Sequence, residues 1–300
     1  MIGPHDVGGA LVCGGSPTSL VRSSQPGHEV RQGAVWLQSF ANGSFGSGRS
    51  GRSRAYRRGY DRHVSQPAPG RSEPDRRTLV VGANSLAIGL AEGLAARGDR
   101  VVTLAPTAGS FATEALVADA VASAIEQLGG LDQVVHAWVD PSVLIERSFI
   151  DVSTDEWMTA CEGTLARSWW LMRQLQSPLI AAGGGSVVVV VPSIALAGSA
   201  GFAMLATVAE GLRVMAKGCG RQWAKNAITV NTVATAPHHW VSRDQGDALT
   251  RAISLSTPAF GTSGAAIDDL APVVAALAGT DLHFLTAATL VADGGLWMGL

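Results

Sequence analysis

The sequence predicts an α/β fold built on a doubly wound parallel sheet. Val187 to Val191 are five β-branched residues without a polar interruption, a pattern typical of a strand buried on both faces. The stretch from Phe202 to Lys217 carries apolar residues at helical spacing, and a second apolar strand follows at Ile228 to Val233. A buried strand, a long helix and another buried strand form a crossover unit of a parallel sheet.

The same patterns predict the remaining elements. Strands are expected at 77–81, 100–104, within "GGLDQVVHAWVD" at 129–140, and at 287–292. Helices are expected at 86–97, 113–128, 151–172 and 267–278, and the polar stretch 242–264 is expected to be mobile. These elements alternate as an open α/β sheet requires.

Charge and composition divide the chain into a tail at 1–76 and one domain at 77–300. The tail has ten Arg against five acidic residues, and the rest has twelve basic against nineteen acidic residues. The tail is rich in Gly, Ser and Arg and poor in aliphatic residues, so we predict that it is disordered. It has three interpretations: no specific role or an early start codon, a basic arm for nucleic acid or an acidic surface, or a targeting segment.

The cysteines and the hydropathy favour a reducing, cytoplasmic location. Cys13, Cys161 and Cys219 form no CxxC pair and no even framework, so we expect no structural disulfide. No window reaches the ~18 uncharged apolar residues of a transmembrane helix, and the first residues lack the pattern of a secretory signal. We therefore expect no membrane partner.

One family resemblance covers about Arg77 to the end. A buried strand, Ser193, a small-residue loop, a helix and an "ITVN" strand follow one another, and "LTAATLVADGG" stands near the C-terminus. This order resembles the short-chain dehydrogenase/reductase family, nearest its 3-oxoacyl-acyl-carrier-protein reductase branch. The resemblance implies a Rossmann-type fold, NAD(P) as cofactor, and catalysis by an Asn, a Ser, a Tyr and a Lys.

Only one of these four catalytic residues has a match. Ser193 fits the Ser, whereas Thr164 stands near the position of the Asn. When Gly198 and Gly211 are laid on the family's glycines, Leu205 takes the position of the Tyr and Ala209 that of the Lys. Neither aliphatic side chain can move a proton.

This conclusion does not depend on the exact alignment. The two tyrosines of the chain, Tyr56 and Tyr60, lie in the predicted tail, and its two lysines, Lys217 and Lys225, come too late in the helix. General acid–base catalysis is worth ~100- to 10,000-fold in rate. The usual hydride transfer of the family is therefore not expected.

The cofactor turn is also altered. In "VGANSLAIG" we assign Gly82, Asn84 and Gly89 as candidate dinucleotide contacts, because glycines let backbone N–H groups approach a pyrophosphate. The family pattern T-G-x-x-x-G-x-G has its middle Gly replaced by Leu86 or Ala87 here. A working NAD(P) site and a purely structural turn both remain open.

The adenine side of that site departs further from the family. After the second strand, Ala105, Pro106 and Thr107 offer neither an acid for a ribose hydroxyl nor an Arg for a 2′-phosphate. The chain then enters the next helix directly, where the resemblance implies about twenty more residues with a third strand. We predict a sheet shortened at this edge.

Three histidines invite other chemistry. The family's N-N-A-G is replaced by His136, Ala137, Trp138 and Val139, and His136 is the one titratable side chain there. A core or interface histidine is the preferred interpretation because no partner acid or base accompanies it. His238 and His239 are adjacent but have no third ligand at a useful spacing, so no metal is expected.

Three functions follow from these observations. The preferred one is a non-catalytic, structural subunit that pairs with itself or an active relative through helices at 155–176 and 202–218 and the C-terminal strand. The second is an active NAD(P)-dependent oxidoreductase with an unusual acid, such as His136. The third is a dinucleotide- or ligand-sensing module whose basic arm contacts nucleic acid, although the acidic body makes nucleic acid an unlikely partner.

Overall fold

A computed structural model describes residues 75–252 and 258–298 of the chain. Its sheet is parallel and six-stranded, in the order β2-β1-β3-β4-β5-β6. The strands are β1 (Arg77–Val81), β2 (Arg100–Leu104), β3 (Gln133–His136), β4 (Gly185–Pro192), β5 (Ile228–Thr235) and β6 (Thr289–Ala292). The predicted tail lies outside the described residues except for its last two, so its disorder stays a prediction.

Nine α-helices lie in the described part of the chain. One is the short helix Thr154–Trp157, and the other eight are α1 (Ser85–Ala95), α2 (Ala108–Phe111), α3 (Glu114–Leu128), α4 (Gly163–Ala181), α5 (Ile194–Ala197), α6 (Ala203–Trp223), α7 (Arg243–Ala252) and α8 (Ala271–Leu277). α3 packs on α4 and α4 packs on α6, whereas α1 packs on α8. The predicted α/β class with a Rossmann-type sheet is confirmed. None of the described helices is long and apolar enough to cross a membrane.

The strand order explains where a ligand crevice can form. β1 lies between β2 and β3, so the chain reverses its direction across the sheet at β1. In open α/β sheets the ligand site lies at such a switch point, beyond the carboxyl ends of the strands. The doubly wound order 3-2-1-4-5-6 has two strands outside the first one, but here β2 is itself the edge strand. The predicted shortening of the first half is thus confirmed.

The central crossover unit also matches its prediction. Val187 to Val191 are all buried, because β4 lies between β3 and β5 and is covered by helices. α6 packs on both β4 and β5 and joins them. The apolar run that predicted this strand is thus part of the hydrophobic core.

Two helical features differ from the sequence prediction. The helix expected from 151 begins at Thr154, after a capping box in which Ser153 and Glu156 bond each other's backbone N–H groups. It passes through a π-helical turn, Met158–Glu162, before α4, which continues past Pro178. The stretch 242–264, predicted to be polar and mobile, contains α7, a helix that was not predicted, and its mobility stays a prediction. The sequence signal for α7 that was missed is the pair Ser242 and Gln245. The Ser242 hydroxyl accepts a hydrogen bond from the Gln245 N–H, and the Gln245 side chain accepts one from the Ser242 N–H.

Candidate functional site

The carboxyl ends of the parallel strands form the edge at which this fold would bind its ligands. Ser193 follows directly on β4, and its N–H donates a hydrogen bond to the Thr235 carbonyl at the end of β5, 2.7 Å away. Ser193 is completely buried, and its hydroxyl has no hydrogen-bond partner among the described residues. The structure therefore places the one matching catalytic residue at the expected edge, but with its hydroxyl closed to bulk solvent.

The two positions that the sequence analysis assigns to the family's Tyr and Lys lie in the apolar face of α6. Leu205 and Ala209 are one turn apart, at 1% and 0% exposure, and belong to the hydrophobic core. Lys217 lies eight residues beyond Ala209, a distance of about 12 Å along the helix. Lys225 is exposed beyond the helix end, and Tyr56 and Tyr60 lie outside the described residues. No described side chain on this face of α6 can supply or accept a proton.

Thr164, at the position of the family's Asn, has a local structural role. It is buried at the start of α4, and its Oγ1 donates a hydrogen bond to the Ala160 carbonyl at 2.5 Å. Ala160 belongs to the π-helical turn, and its carbonyl also accepts a hydrogen bond from the Gly163 N–H. The hydroxyl of Thr164 is thus already satisfied within its own helix.

His136 is the last residue of β3, and it is buried. Its Nε2 lies 3.1 Å from the Ser168 hydroxyl, while its Nδ1 has no hydrogen-bond partner among the described residues. Burial disfavours the charged ring and lowers the pKa of His136 to about 4, so the ring is neutral at pH 7. In the sheet register it is level with Val81 and Val189, four residues short of Ser193. It therefore lies at the carboxyl end of β3, and β4 continues three residues beyond this level, to Pro192.

The turn after β1 is closely packed. Gly82 has φ +153°, its N–H donates to the Leu104 carbonyl at 3.0 Å, and a Cβ here would lie 2.6 Å from the Ala137 carbonyl oxygen. A glycine is therefore required where the loops after β1 and β3 meet. Asn84 caps α1, because its Oδ1 accepts a hydrogen bond from the Ala87 N–H at 2.9 Å. This cap occupies one of the N–H groups that could otherwise hold an anion.

Gly89 lies in α1 and faces away from the turn. A Cβ at this position would be 2.7 Å from the Cβ of Ala266, so the glycine allows α1 to approach the segment before α8. Leu86, at the position of the family's middle glycine, is 1% exposed and packs in the core. Of the three assigned contacts, Gly82 and Asn84 lie in the turn and Gly89 lies at a helix contact.

The loop after β2 satisfies its own polar groups. The Ser110 hydroxyl donates to the Ala105 carbonyl at 2.9 Å and accepts from the Thr107 N–H at 3.0 Å. The loop presents no acidic side chain to bind a ribose hydroxyl, as its sequence indicated. Together with Leu86 and the Asn84 cap, this loop does not fit a dinucleotide bound in the usual way.

The adjacent histidines have separate partners. His238 Nε2 lies 2.9 Å from Asp247 Oδ1, and His239 Nε2 lies 2.9 Å from the Ser263 carbonyl oxygen. Burial lowers the pKa of His239, which favours its neutral form. The described residues contain no group of three or more side chains that could hold a metal ion.

Sequence reasoning missed the aromatic side chains that fill this edge. Trp138, two residues after β3, packs against Phe111 at the end of α2, with ring centroids 5.8 Å apart. Trp240, after β5, is buried and donates a hydrogen bond from its indole to Thr235 Oγ1 at 2.9 Å. The available signal was the presence of a bulky aromatic residue directly after two buried strands.

Comparisons with curated proteins show related reductases. The chain is 26% identical over 175 residues to the 3-oxoacyl-[acyl-carrier-protein] reductase of Salmonella typhimurium, covering 57% of this chain and 69% of that protein. It is 24% identical over 201 residues to the Staphylococcus aureus (strain Mu50) protein of the same name, covering 63% and 78%. Both relatives are thus reductases by name.

Solved structures support the fold alone. The protein TT0495 from Thermus thermophilus superposes with a TM-score of 0.61 at 23% identity, covering 74% of this chain and 99% of that one. A Sinorhizobium meliloti 1021 protein described as a short-chain alcohol dehydrogenase gives 0.62 at 22% identity, covering 74% and 96%.

The family assignment rests on a match over most of the described chain. Residues 91–297 match the family model described as "Enoyl-(Acyl carrier protein) reductase". This match agrees with the parallel sheet, the position of Ser193 and the related reductases. The chain therefore belongs to the enoyl-(acyl carrier protein) reductase family of short-chain dehydrogenases/reductases.

Proposed function

We propose that this chain is a non-catalytic member of its family that acts as a structural subunit, associating with itself or with an active relative. The observation that carries the proposal is the apolar face of α6. Leu205 and Ala209 are buried where the family's Tyr and Lys would act, and neither can transfer a proton. Ser193, though retained, has a buried hydroxyl that no proton-transferring partner approaches among the described residues.

Exposed apolar side chains on α4 and α6 support the association. Trp169 on α4 is 49% exposed and Val214 on α6 is 58% exposed. The two helices approach closely, since a Cβ on Gly211 would lie 2.8 Å from a methyl group of Leu165. Large apolar side chains on two adjacent helices are typical of a surface that another chain covers.

The last strand of the sheet offers a second apolar surface that another chain could cover. β6 is the edge strand of the sheet, and its Val291 is 45% exposed. Phe284, in the segment before β6, is 78% exposed. An edge strand with exposed apolar side chains favours pairing with another chain, because its backbone groups on one side have no neighbouring strand.

A substitution on α6 tests the association. Val214→Glu places a charge at the proposed contact, so we expect the mass measured by sedimentation equilibrium to fall towards that of one chain. Ile88→Glu is the matched control, because Ile88 is 50% exposed but lies on α1, outside both surfaces. If the unaltered protein sediments as a single chain and captures no co-expressed family reductase, the structural-subunit proposal fails.

An active NAD(P)-dependent reductase is the second candidate. It is favoured by the similarity to 3-oxoacyl-[acyl-carrier-protein] reductases and by the retention of Ser193 at the sheet edge. This candidate requires an acid other than a Tyr at position 205, and His136, at the carboxyl end of β3, is buried and would have to become exposed to reach a substrate. Turnover that depends on Ser193 would establish it.

The sensing module and the cytoplasmic location stay predictions. The basic arm on which nucleic-acid contact depends falls almost wholly outside the described residues. The described body carries the acidic excess predicted from the sequence, which does not attract nucleic acid.

A further inference from the structure

We propose that Trp138 and Phe111 close the adenosine half of the dinucleotide crevice, so that the chain's own aromatic rings occupy the place of a nucleotide. This inference deepens the proposed non-catalytic role, on which it rests. It concerns binding and not turnover, so the two can fail separately.

The strand order places the two rings on either side of β1. Phe111 comes from the connection after β2, and Trp138 comes from the loop after β3. β2 and β3 are the two neighbours of β1 in the sheet. A contact between residues from these two connections therefore spans the carboxyl end of β1, where the switch-point crevice lies.

The size of the gap suits the pair. Neighbouring strands are about 4.8 Å apart, so the connections after β2 and β3 start about 10 Å apart. The ring centroids of Phe111 and Trp138 are 5.8 Å apart, and the rings are tilted by 57°. Two aromatic rings in this arrangement fill such a gap from one side to the other.

The rings are held in place and are not free to swing aside. Trp138 is 8% exposed and Phe111 is 2% exposed. The ring of His136 meets the Trp138 ring edge-on, with centroids 6.5 Å apart at 69°. A nucleotide entering here would have to expose both buried rings to water, which opposes its binding.

The polar groups at the same place support the closure independently. The Ser110 hydroxyl accepts a hydrogen bond from the Thr107 N–H and donates one to the Ala105 carbonyl. The polar groups of the loop after β2 are therefore paired with each other. No acidic side chain of this loop is available for a ribose. Both the shape and the hydrogen-bonding groups of the adenosine half thus disagree with a bound dinucleotide.

A single substitution reopens the crevice. Trp138 stands where the resembling family has the Ala of N-N-A-G, so Trp138→Ala restores a small side chain at that position. Isothermal titration with ADP, NADH and NADPH compares the unaltered chain with this variant. We expect no saturable binding at millimolar ADP by the unaltered chain, and at least about tenfold tighter binding by Trp138→Ala.

The control is a second buried tryptophan, near the amino ends of the strands. Trp223 is 5% exposed at the end of α6, so Trp223→Ala creates a comparable cavity far from the crevice. We expect this control to lose stability without gaining affinity for ADP. Phe111→Ala, which opens the crevice from the other side, takes the place of Trp138→Ala if the latter does not fold.

Each outcome decides the inference. Binding of ADP or NADPH by the unaltered chain overturns it, because the crevice would then be open, while the non-catalytic proposal would stand until turnover was found. Failure of both folded variants to gain affinity overturns it as well, because the rings would not be what excludes the nucleotide. Gain of affinity by Trp223→Ala alone would show that the effect does not belong to this crevice.

Discussion

At the scale of single residues, buried apolar side chains stand at the positions that the sequence analysis assigns to the family's Tyr and Lys. Leu205, Ala209 and Trp138 were all visible in the sequence as replacements of family residues. The sequence could not predict that the Ser193 hydroxyl is enclosed or that Trp138 pairs with Phe111. Such contacts depend on how loops from different strands meet, which no local pattern encodes.

Restoring the Tyr at position 205 is expected to be costly. Leu205→Tyr inserts a larger side chain with a hydroxyl into a packed core, which should lower the free energy of unfolding by about 1–3 kcal/mol. Urea unfolding measures this loss. Thr207→Tyr is the control on the same helix, because Thr207 is exposed and should change stability by no more than about 0.5 kcal/mol. An unchanged stability of Leu205→Tyr would contradict the tight packing of this face.

Burial of the neutral His136 ring should make the folded protein less stable at acidic pH. Because the pKa of His136 falls to about 4 in the folded state, the unfolded chain binds more protons between about pH 6.5 and 4. The contribution of His136 to the free energy of unfolding is therefore fully present above pH 6.5. It declines as the pH falls to 4, by up to about 3 kcal/mol. The free energy of unfolding, measured across this pH range, should decline less steeply in His136→Gln than in the unaltered chain. Exposed His283→Gln is the control, and equal slopes for His136→Gln and the unaltered chain would refute the assignment.

At the scale of elements, the regular patterns were predictable and the irregular ones were not. The β4-α6-β5 unit followed from uninterrupted apolar runs and helical spacing. The π-helical turn before α4 has no comparable sequence signal, and α7 is so polar that no helix was predicted there. The assignment of Gly89 to a cofactor turn could not be separated from helix packing, because a glycine serves both purposes.

Close packing of α1 on the segment around α8 makes a second prediction at this scale. A Cβ on Gly93 would lie 2.5 Å from the Cβ of Ala271 and 2.8 Å from the Ile267 carbonyl oxygen. Gly93→Ala should therefore lower the free energy of unfolding by about 1–3 kcal/mol, despite the higher helix propensity of alanine. In Gly218→Ala, the control in α6, the new Cβ meets no atom within 4 Å, so stability should rise by up to about 1 kcal/mol. Similar changes in both variants would contradict the close approach.

At the scale of the whole molecule, the family fold persists while its nucleotide side is reduced. β2 has become the edge strand, the loop after it bonds to itself, and aromatic rings fill the adjacent crevice. The exposed apolar side chains on α4, α6 and β6 remain available for association. The sequence predicted the shortened sheet because about twenty residues that the family resemblance implies are missing between the second strand and the next helix. Such a gap can be recognised from the spacing of the elements along one sequence.

The measurement that tests the central claim most directly is turnover by the purified chain. A 3-oxoacyl thioester is mixed with NADPH or NADH, and nicotinamide absorbance is followed beside an active family reductase as positive control. We predict no oxidation of either nucleotide above the rate without protein, because no described residue can supply the proton at the position of Leu205. Oxidation of NADPH that Ser193→Ala abolishes would contradict the account and establish the chain as a reductase.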